Sequence, residues 1–537
     1  MKVKTIITAA VTIHCLIFLV AGLSIQNGGK TVSADILSKV QKAMVSSNDS
    51  KANITMAYLA CDQWNDILSQ ELPPRIRSLC LAFQASSLTR VGRDLDSLSS
   101  YSACLNFRSF LDHLTLQDVQ LGNAYALQRL MRYQQAREQY REIPTEKACI
   151  GAATCSLRLL DMNDAIDSLT SHCQEYGTES EAADMLGCLL FLNGESDAVI
   201  GALKSGRSLS PLYSWVHFLA TNDVAAHRPY HVLEFAALNQ CAFDDPFLLH
   251  LDDKVHLHEL LSRSPLATSF WPQGYVLSRE MSTFQESHAD RVTKKWIVKE
   301  RAAYGSHGNR IVSGNDILCN SYSEDVLCQR IVNPTLLIDG RKFSIRVYVY
   351  FFLDENASPT SYLSSLGLVK LASMPFDEGS SDERMYMTNS GRENNMRQRD
   401  LKYLQSIFEK NDWPYESFWN EIRQSIKTLM TCYDDFATKQ PKREYRSKLG
   451  KLGIPKILGL DFLVDGNFRP QLIEVNRFPG LEPRSDGDEM VKQRVVKEAW
   501  ICAAERHGVP FANIGFVDDY LDEYCDCKLS FEKILMM

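Results

Sequence analysis

The sequence predicts a multidomain protein, an all-α repeat array followed by an α+β domain. Three observations carry this prediction. From about residue 35 to 220 the chain is rich in Leu, Ala, Gln, Arg and Ser, with few prolines and few alternating β-branched runs, which is a helical texture. Small residues recur there at a nearly regular interval. After about residue 225 short β-branched and aromatic runs alternate with helical stretches. The expected divisions are 1–34 for an apolar N-terminal segment, 35–224 for the helical array, 225–510 for the α+β domain and 511–537 for an acidic tail.

Length and composition are consistent with this. A chain of 537 residues holds two to four domains at ~150 residues each. With 45% apolar and 23% charged residues it is an ordinary globular composition, not a disordered, collagen-like or multi-span one. A net charge of −8 excludes a general nucleic-acid binder, which needs a basic face. Lys2 and Lys4 precede the apolar run Ile6 to Leu23, the pattern of a secretory signal peptide or a signal anchor. That run predicts a secretory-pathway or membrane-anchored location, with membrane contact through this segment alone. A cytoplasmic location is the alternative if the run forms a buried helix. Cys525 and Cys527 are one residue short of a C-x-x-C pair and have no His or Cys cluster beside them, so no zinc site is predicted.

The helical part repeats itself. Leu121-Gly122 through Tyr125 is followed by Arg132-Tyr133 through Tyr140; Leu160 to Leu169 repeats the second half, and Leu186-Gly187 through Leu203 repeats both. The small anchors Ala136, Ala165 and Ala198 are 29 and 33 residues apart. A small residue lets paired helices approach, and a large one a turn later fills the neighbouring gap. The period resembles that of tetratricopeptide repeats, which bind a partner protein on a concave face. An irregular helical bundle is the competing reading. Neither places a catalytic constellation in this half.

The α+β part carries the candidate chemistry. Strands are predicted at Lys295–Lys299, Val326–Val332, Phe343–Phe352, Gly459–Val464 and Pro470–Asn476, with helices from Leu401 to Ile426. Two residues apart on a strand share a face, so Glu474 and Asn476 point one way and Val475 the other. A paired strand carrying Asp461 adds a third hard oxygen donor, a set that suits Mg²⁺. Lys299 ends one strand, and the glycines Gly305 and Gly308 follow in a loop able to offer backbone N–H groups to phosphates. Chain order then runs lysine, glycine loop, Gln329, Arg346, Asp461, Glu474-x-Asn476, the order of an ATP site.

The stretch from about His231 to Trp500 resembles the tubulin–tyrosine ligase family, whose fold is ATP-grasp. The resemblance rests on Asp253-Lys254 with Leu260 to Pro265, Phe270-Trp271-Pro272, Trp296 to Lys299, Asn333 to Gly340, Arg341 to Val349, Met387-Thr388-Asn389, Leu460 to Asp465 and Leu472 to Asn476. It implies an ATP- and Mg²⁺-dependent ligase that joins a free amino acid (tyrosine, glutamate or glycine) to a protein carboxylate through an acyl phosphate. The acceptor is expected to carry an acidic tail, tubulin being the family's usual one. It further implies Lys254 and Lys299 on the ATP phosphates, Gly308 in the loop covering them, and Gln329, Arg330 and Ile331 at the adenine. Lys342 and Arg346 would face ATP or the reacting carboxylate. Lys370, Thr388 and Asn389 would lie near the incoming amino acid, and Asp461, Glu474 and Asn476 would hold Mg²⁺. Lys342, Arg346 and Lys370 are the implied catalytic cations.

Three positions depart from the family pattern: Ser344 stands for an aspartate, Arg310 for a glycine and Lys370 for an arginine, which removes a bidentate carboxylate partner. They motivate an alternative, an adaptor whose ligase fold binds nucleotide without turnover. The basic run Lys439 to Lys448, with Lys451 and Lys456, is either a grip for an acidic protein tail or a solvated loop. Residues 378–399 are predicted to form a polar loop near the site, and the tail from Val517 a surface helix or loose end.

Overall fold

A computed structural model describes residues 34–49, 54–177, 180–195, 211–221, 236, 243–288, 295–301, 309–322, 325–380, 382–386, 388, 397–481, 486–508 and 531–534. The apolar run Ile6–Leu23, Ala198, Gly308, Asn389 and residues 517–530 lie outside them. Among the described residues no helix is long and apolar enough to cross a membrane. The described cysteines are free thiols. Contacts divide the chain into two compact units, with the change after Gly177.

The first unit is helical, as its composition predicts: Ala34–Asp49, Ile54–Leu68, Pro74–Val91, Asp94–Leu105, His113–Arg129, Tyr133–Arg141, Glu146–Arg158 and Met162–Tyr176. Asp112, Thr145 and Asp161 cap helix starts by accepting the backbone N–H of Thr115, Ala148 and Asp164. One turn recurs. Gly92, Met131 and Leu160 adopt positive φ after a helix, and the next N–H reaches back to close it, Arg93 to Leu88 O, Arg132 to Leu127 O and Asp161 to Ser156 O. Of the expected small anchors, Ala136 and Ala165 are completely buried, and Ala198 lies outside the described residues. Two glycines mark the closest approaches. A Cβ on Gly122 would lie 2.4 Å from the Tyr101 ring, and one on Gly151 would lie 2.6 Å from Tyr140.

The second unit begins with the helices Glu181–Leu192 and Pro211–Thr221 and holds two antiparallel sheets. The smaller sheet comprises β1 (Gly274–Val276), β2 (Lys295–Glu300), β3 (Asn309–Ser313) and β4 (Val326–Arg330), in the order β1-β4-β2-β3. The larger comprises β5 (Leu337–Ile338), β6 (Arg341–Leu353), β7 (Pro359–Leu371), β8 (Arg397–Asp400), β9 (Lys456–Val464), β10 (Pro470–Asn476) and β11 (Phe531–Ile534). Its path is β10-β9-β6-β7-β11, with β5 on β6 and β8 on β7. Each strand predicted from sequence is present to within a few residues. The acidic tail adds β11, which pairs with β7.

Strand β6 is buried along nearly its whole length because both faces of the sheet are covered. Tyr348, Tyr350 and Phe352 pack with Trp215, Val495, Ala499 and Trp500, the last three from the helix Asp486–Arg506. Phe351, on the opposite face, meets Tyr433 of the helix Tyr415–Ala437 edge-on at 5.6 Å. A strand buried on both sides reads as a continuous apolar run, which is why RKFSIRVYVYFFL is legible. The exceptions in that run, Lys342, Ser344 and Arg346, share one face at its start.

The basic run is not simply a solvated loop. Residues Arg443–Gly450 form a helix. Arg446 is buried and donates to Asp245 at 2.8 and 2.9 Å, and Lys456 pairs with Asp244 at 3.1 Å. These cations close internal pairs with acids some 200 positions earlier in the chain, whereas Lys439, Lys442 and Arg443 remain exposed.

Candidate active site

The site is built where the start of β6, the end of β7 and the hairpin β9–β10 lie side by side. Arg346 is in register with Asp461, and Asp461 with Glu474. Arg346 grips Asp461 through two bonds, Nε to Oδ1 at 2.6 Å and Nη2 to Oδ2 at 2.5 Å. Lys370 reaches the same carboxylate at 3.3 Å, and the Asn476 amide lies 3.5 Å from its other oxygen. Asp461, Glu474 and Asn476 are therefore neighbours, as the strand periodicity predicts, with Val475 buried on the opposite side.

A bulge sets this register. Pairing shifts between Leu472 and Glu474, so Ile473 is the extra residue. Bulges re-aim side chains at sites of this kind. Here the bulge leaves the Ile473 carbonyl to accept Lys299 Nζ at 2.9 Å, joining β2 of the small sheet to β10 of the large one. Lys299 also donates to Gln329 Oε1 at 2.7 Å, and Gln329 donates to Pro272 O at 3.1 Å. The Gln329 side chain is thus committed inside the sheet. Arg330 ends β4 with its N–H on Gln273 O at 2.8 Å, and Ile331 follows the strand. Arg310 belongs to β3, exposed and opposite Val298.

Burial and mutual proximity shape the charges. Burial pushes Lys299 down to about 8, with Lys254 adding repulsion and Glu474 opposing it. Burial and Arg346 bring Lys370 down to about 8. Burial brings Lys342 down to about 8, against the pull of Glu378. Burial alone would raise the Asp461 carboxyl, but Arg346 and Lys370 outweigh it and hold it at about 2. Lys254, Lys299, Lys342, Arg346 and Lys370 are all at least nine-tenths buried. They outnumber Asp461 and Glu474, and an excess of buried cations favours a polyanion.

Sequence reasoning missed the cover over Lys342. Its ammonium lies 4.3 Å from the Phe376 ring centre and 4.5 Å from that of Tyr386. Lys295 anchors the same segment by donating to Glu378 O at 2.9 Å, Ser380 O at 2.6 Å and Tyr386 Oη at 3.2 Å. The two aromatics in a polar stretch were its only sequence signal. Ser344 lies opposite Lys370 in the sheet and bonds Thr388 hydroxyl to hydroxyl at 2.6 Å. Lys254 opens the helix Lys254–Ser262 behind Asp253. The Asp253 carboxylate caps Val255 and His256 and pairs with Arg301 at 2.6 Å.

The donor set fits a divalent cation with a nucleotide. Asp461, whose oxygens Arg346 and Lys370 hold, Glu474 and the Asn476 amide are the hard-oxygen groups that could meet such a cation, and the lysines could meet phosphates. Among the described residues no three His, Cys, Asp or Glu side chains cluster as a metal site by themselves, so the amide is needed to complete the trio.

Comparison with known proteins agrees with this geometry. Residues 242–502 match the tubulin-tyrosine ligase family. This stretch is a tubulin–tyrosine ligase family domain. The domain is 25% identical over 245 residues to tubulin monoglutamylase TTLL4 of Mus musculus, covering 43% of this chain and 20% of that protein. It is 26% identical over 271 residues to tubulin polyglutamylase TTLL13 of Mus musculus, covering 46% and 32%. With tubulin polyglutamylase TTLL7 of Homo sapiens it shares 23% over 274 residues, covering 45% and 30%. The matched stretch thus spans a fifth to a third of these relatives.

Proposed function

We propose that the protein is an ATP- and Mg²⁺-dependent ligase that adds an amino acid, glutamate first among the candidates, to a side-chain or terminal carboxylate of an acceptor protein. The observation that carries this reading is the buried cluster of Arg346, Lys370 and Asp461, with the half-buried Glu474 on the adjoining strand and Lys299 bridging the sheets. Glutamate is named because the relatives are glutamylases; tubulin is the acceptor to try first, for the same reason. The fold reading is ATP-grasp, with nucleotide between the two sheets.

In this scheme Asp461, Glu474 and Asn476 would hold Mg²⁺, which neutralises phosphate charge when bound. Lys254, Lys299 and Lys342 would bind the phosphates. The acceptor carboxylate displaces ADP from the γ-phosphate, giving an acyl phosphate. The neutral amine of the amino acid then attacks the acyl carbon, phosphate leaves, and the nitrogen loses one proton. No side-chain nucleophile is required; the residues position and neutralise charge. Asn389 and Gly308 are assigned to the amino acid and the phosphate loop by family pattern. The recurring helix turn and buried small residues support reading the first unit as a tetratricopeptide-like array that binds a partner protein. A tubulin acceptor requires the domain to face the cytosol, so the fate of Ile6–Leu23 decides between locations.

The test is mass spectrometry of acceptor peptides and tubulin after incubation with the full chain, ATP, Mg²⁺ and single amino acids. A gain of one or more aminoacyl masses supports the ligase. Nucleotide binding without any mass gain supports the adaptor, which the neutral Ser344–Thr388 pair favours.

A further inference from the structure

Arg477 follows Asn476 and lies outside the set assigned above. Its side chain is 4% exposed, yet Nε and Nη1 are buried with no hydrogen-bond partner among the described residues. Burying an unpaired guanidinium is costly, and a protein ordinarily closes such a group with an acid. Here the guanidinium carbon lies 4.5 Å over the Phe478 ring. That contact supplies weak attraction and leaves the directed N–H groups unmet.

The surroundings tie this residue to the reaction site. The Arg477 N–H donates to Asp252 Oδ1 at 3.1 Å, fixing it to the corner from which Asp253 and Lys254 continue. The same turn abuts the central ion pair: a Cβ on Gly459 would lie 2.9 Å from Pro479 and 3.0 Å from Arg346 Nη1, so both converge on that glycine. The turn is therefore held on both sides while Nε and Nη1 have no partner among the described residues. Two rigid anchors around unmet donors describe a preorganised binding group.

We propose that Arg477 binds an oxyanion of the reaction, a phosphate of the nucleotide or a carboxylate of the acceptor, through its unmet Nε and Nη1 donors. Both anions carry charged oxygens that accept charge-assisted hydrogen bonds from such donors. This rests on the ligase reading for the identity of the ligands.

The experiment uses the full chain with Arg477→Met and Arg477→Lys. Thermal unfolding without ligand is measured first, then affinity for Mg·ATP and for a glutamate-rich acceptor peptide. Removing unmet buried donors is expected to leave the melting temperature unchanged or raised in Arg477→Met. Affinity for one ligand is expected to fall at least tenfold in both variants, the lysine keeping the charge but losing the Nε and Nη1 donors. Loss toward ATP assigns the phosphate, and loss toward the peptide assigns the carboxylate. A drop of several degrees in unliganded Arg477→Met, or wild-type affinity for both ligands in Arg477→Lys, overturns the proposal alone. A wild-type chain that binds neither ligand overturns it together with the ligase reading.

Discussion

The two units bury charge in opposite ways. In the helical unit the buried Asp94 takes Arg129 at 2.9 Å, and the half-buried Asp164 takes Arg137 at 3.2 Å as well as Arg141. Those charges close among themselves and serve packing. At the site in the sheet unit, Lys299, Arg346 and Lys370 crowd around Asp461 and Glu474 and leave positive charge over. A fold that buries surplus charge gives up stability there, and such a surplus is retained where a ligand completes it.

The sharpest way to break this contrast is Asp461→Asn. It strands Arg346 and Lys370 in the interior, so a loss of about 3–5 kcal/mol in chemical denaturation is expected, together with loss of turnover. A variant as stable as wild type would show that the cluster is not closed by Asp461. In the helical unit the corresponding break is steric. Gly122→Ala gains helix propensity but drives a methyl into the buried Tyr101 ring, for a net loss of about 1–3 kcal/mol. Turnover by the folded fraction is expected to be unchanged.

A pH titration separates binding from stability. Lys299, Lys342 and Lys370 sit at about 8, below the ordinary lysine value. Mg·ATP affinity is therefore expected to weaken as pH rises through about 8, when these ammonium groups lose their charge. Between about 8 and the ordinary value near 10.5 the unfolded chain binds more protons at these lysines than the folded one. They therefore make unfolding harder, not easier, as pH rises there. Affinity constant to pH 9.5 would contradict their role as cations. The smallest expected effect is that of Tyr386→Leu. Removing one ring from Lys342 costs less than about 1 kcal/mol and, because the ring's attraction favours the ammonium, moves the alkaline limb of binding downward. An unmoved limb would show that Tyr386 does not shield the ammonium.

What was legible in the sequence follows from the range of the interactions. β6, β9 and β10 announced themselves because strand burial writes a local pattern, and Glu474-x-Asn476 showed its shared face through the period of two. The bulge at Ile473 left no such mark, since it depends on which residue opposes which on β9. The pairs Arg446–Asp245 and Lys456–Asp244 join distant positions, so a basic stretch looked like surface. The segment that covers Lys342 was visible only as two aromatics amid polar residues. Arg477 had no signal at all beyond standing next to Asn476, because an unmet donor is a property of its surroundings.

The most direct test of the account is Mg²⁺-dependent ADP release by the full chain in the presence of acceptor and amino acid, compared between wild type and Glu474→Gln. Glu474 is partly exposed at the end of the hairpin, so its amide variant is expected to fold with an unchanged melting temperature. The account predicts acceptor-dependent release in wild type and a loss of at least a thousandfold in the variant. Equal release from both folded proteins, or none from wild type with any acceptor while ATP binds, would contradict it.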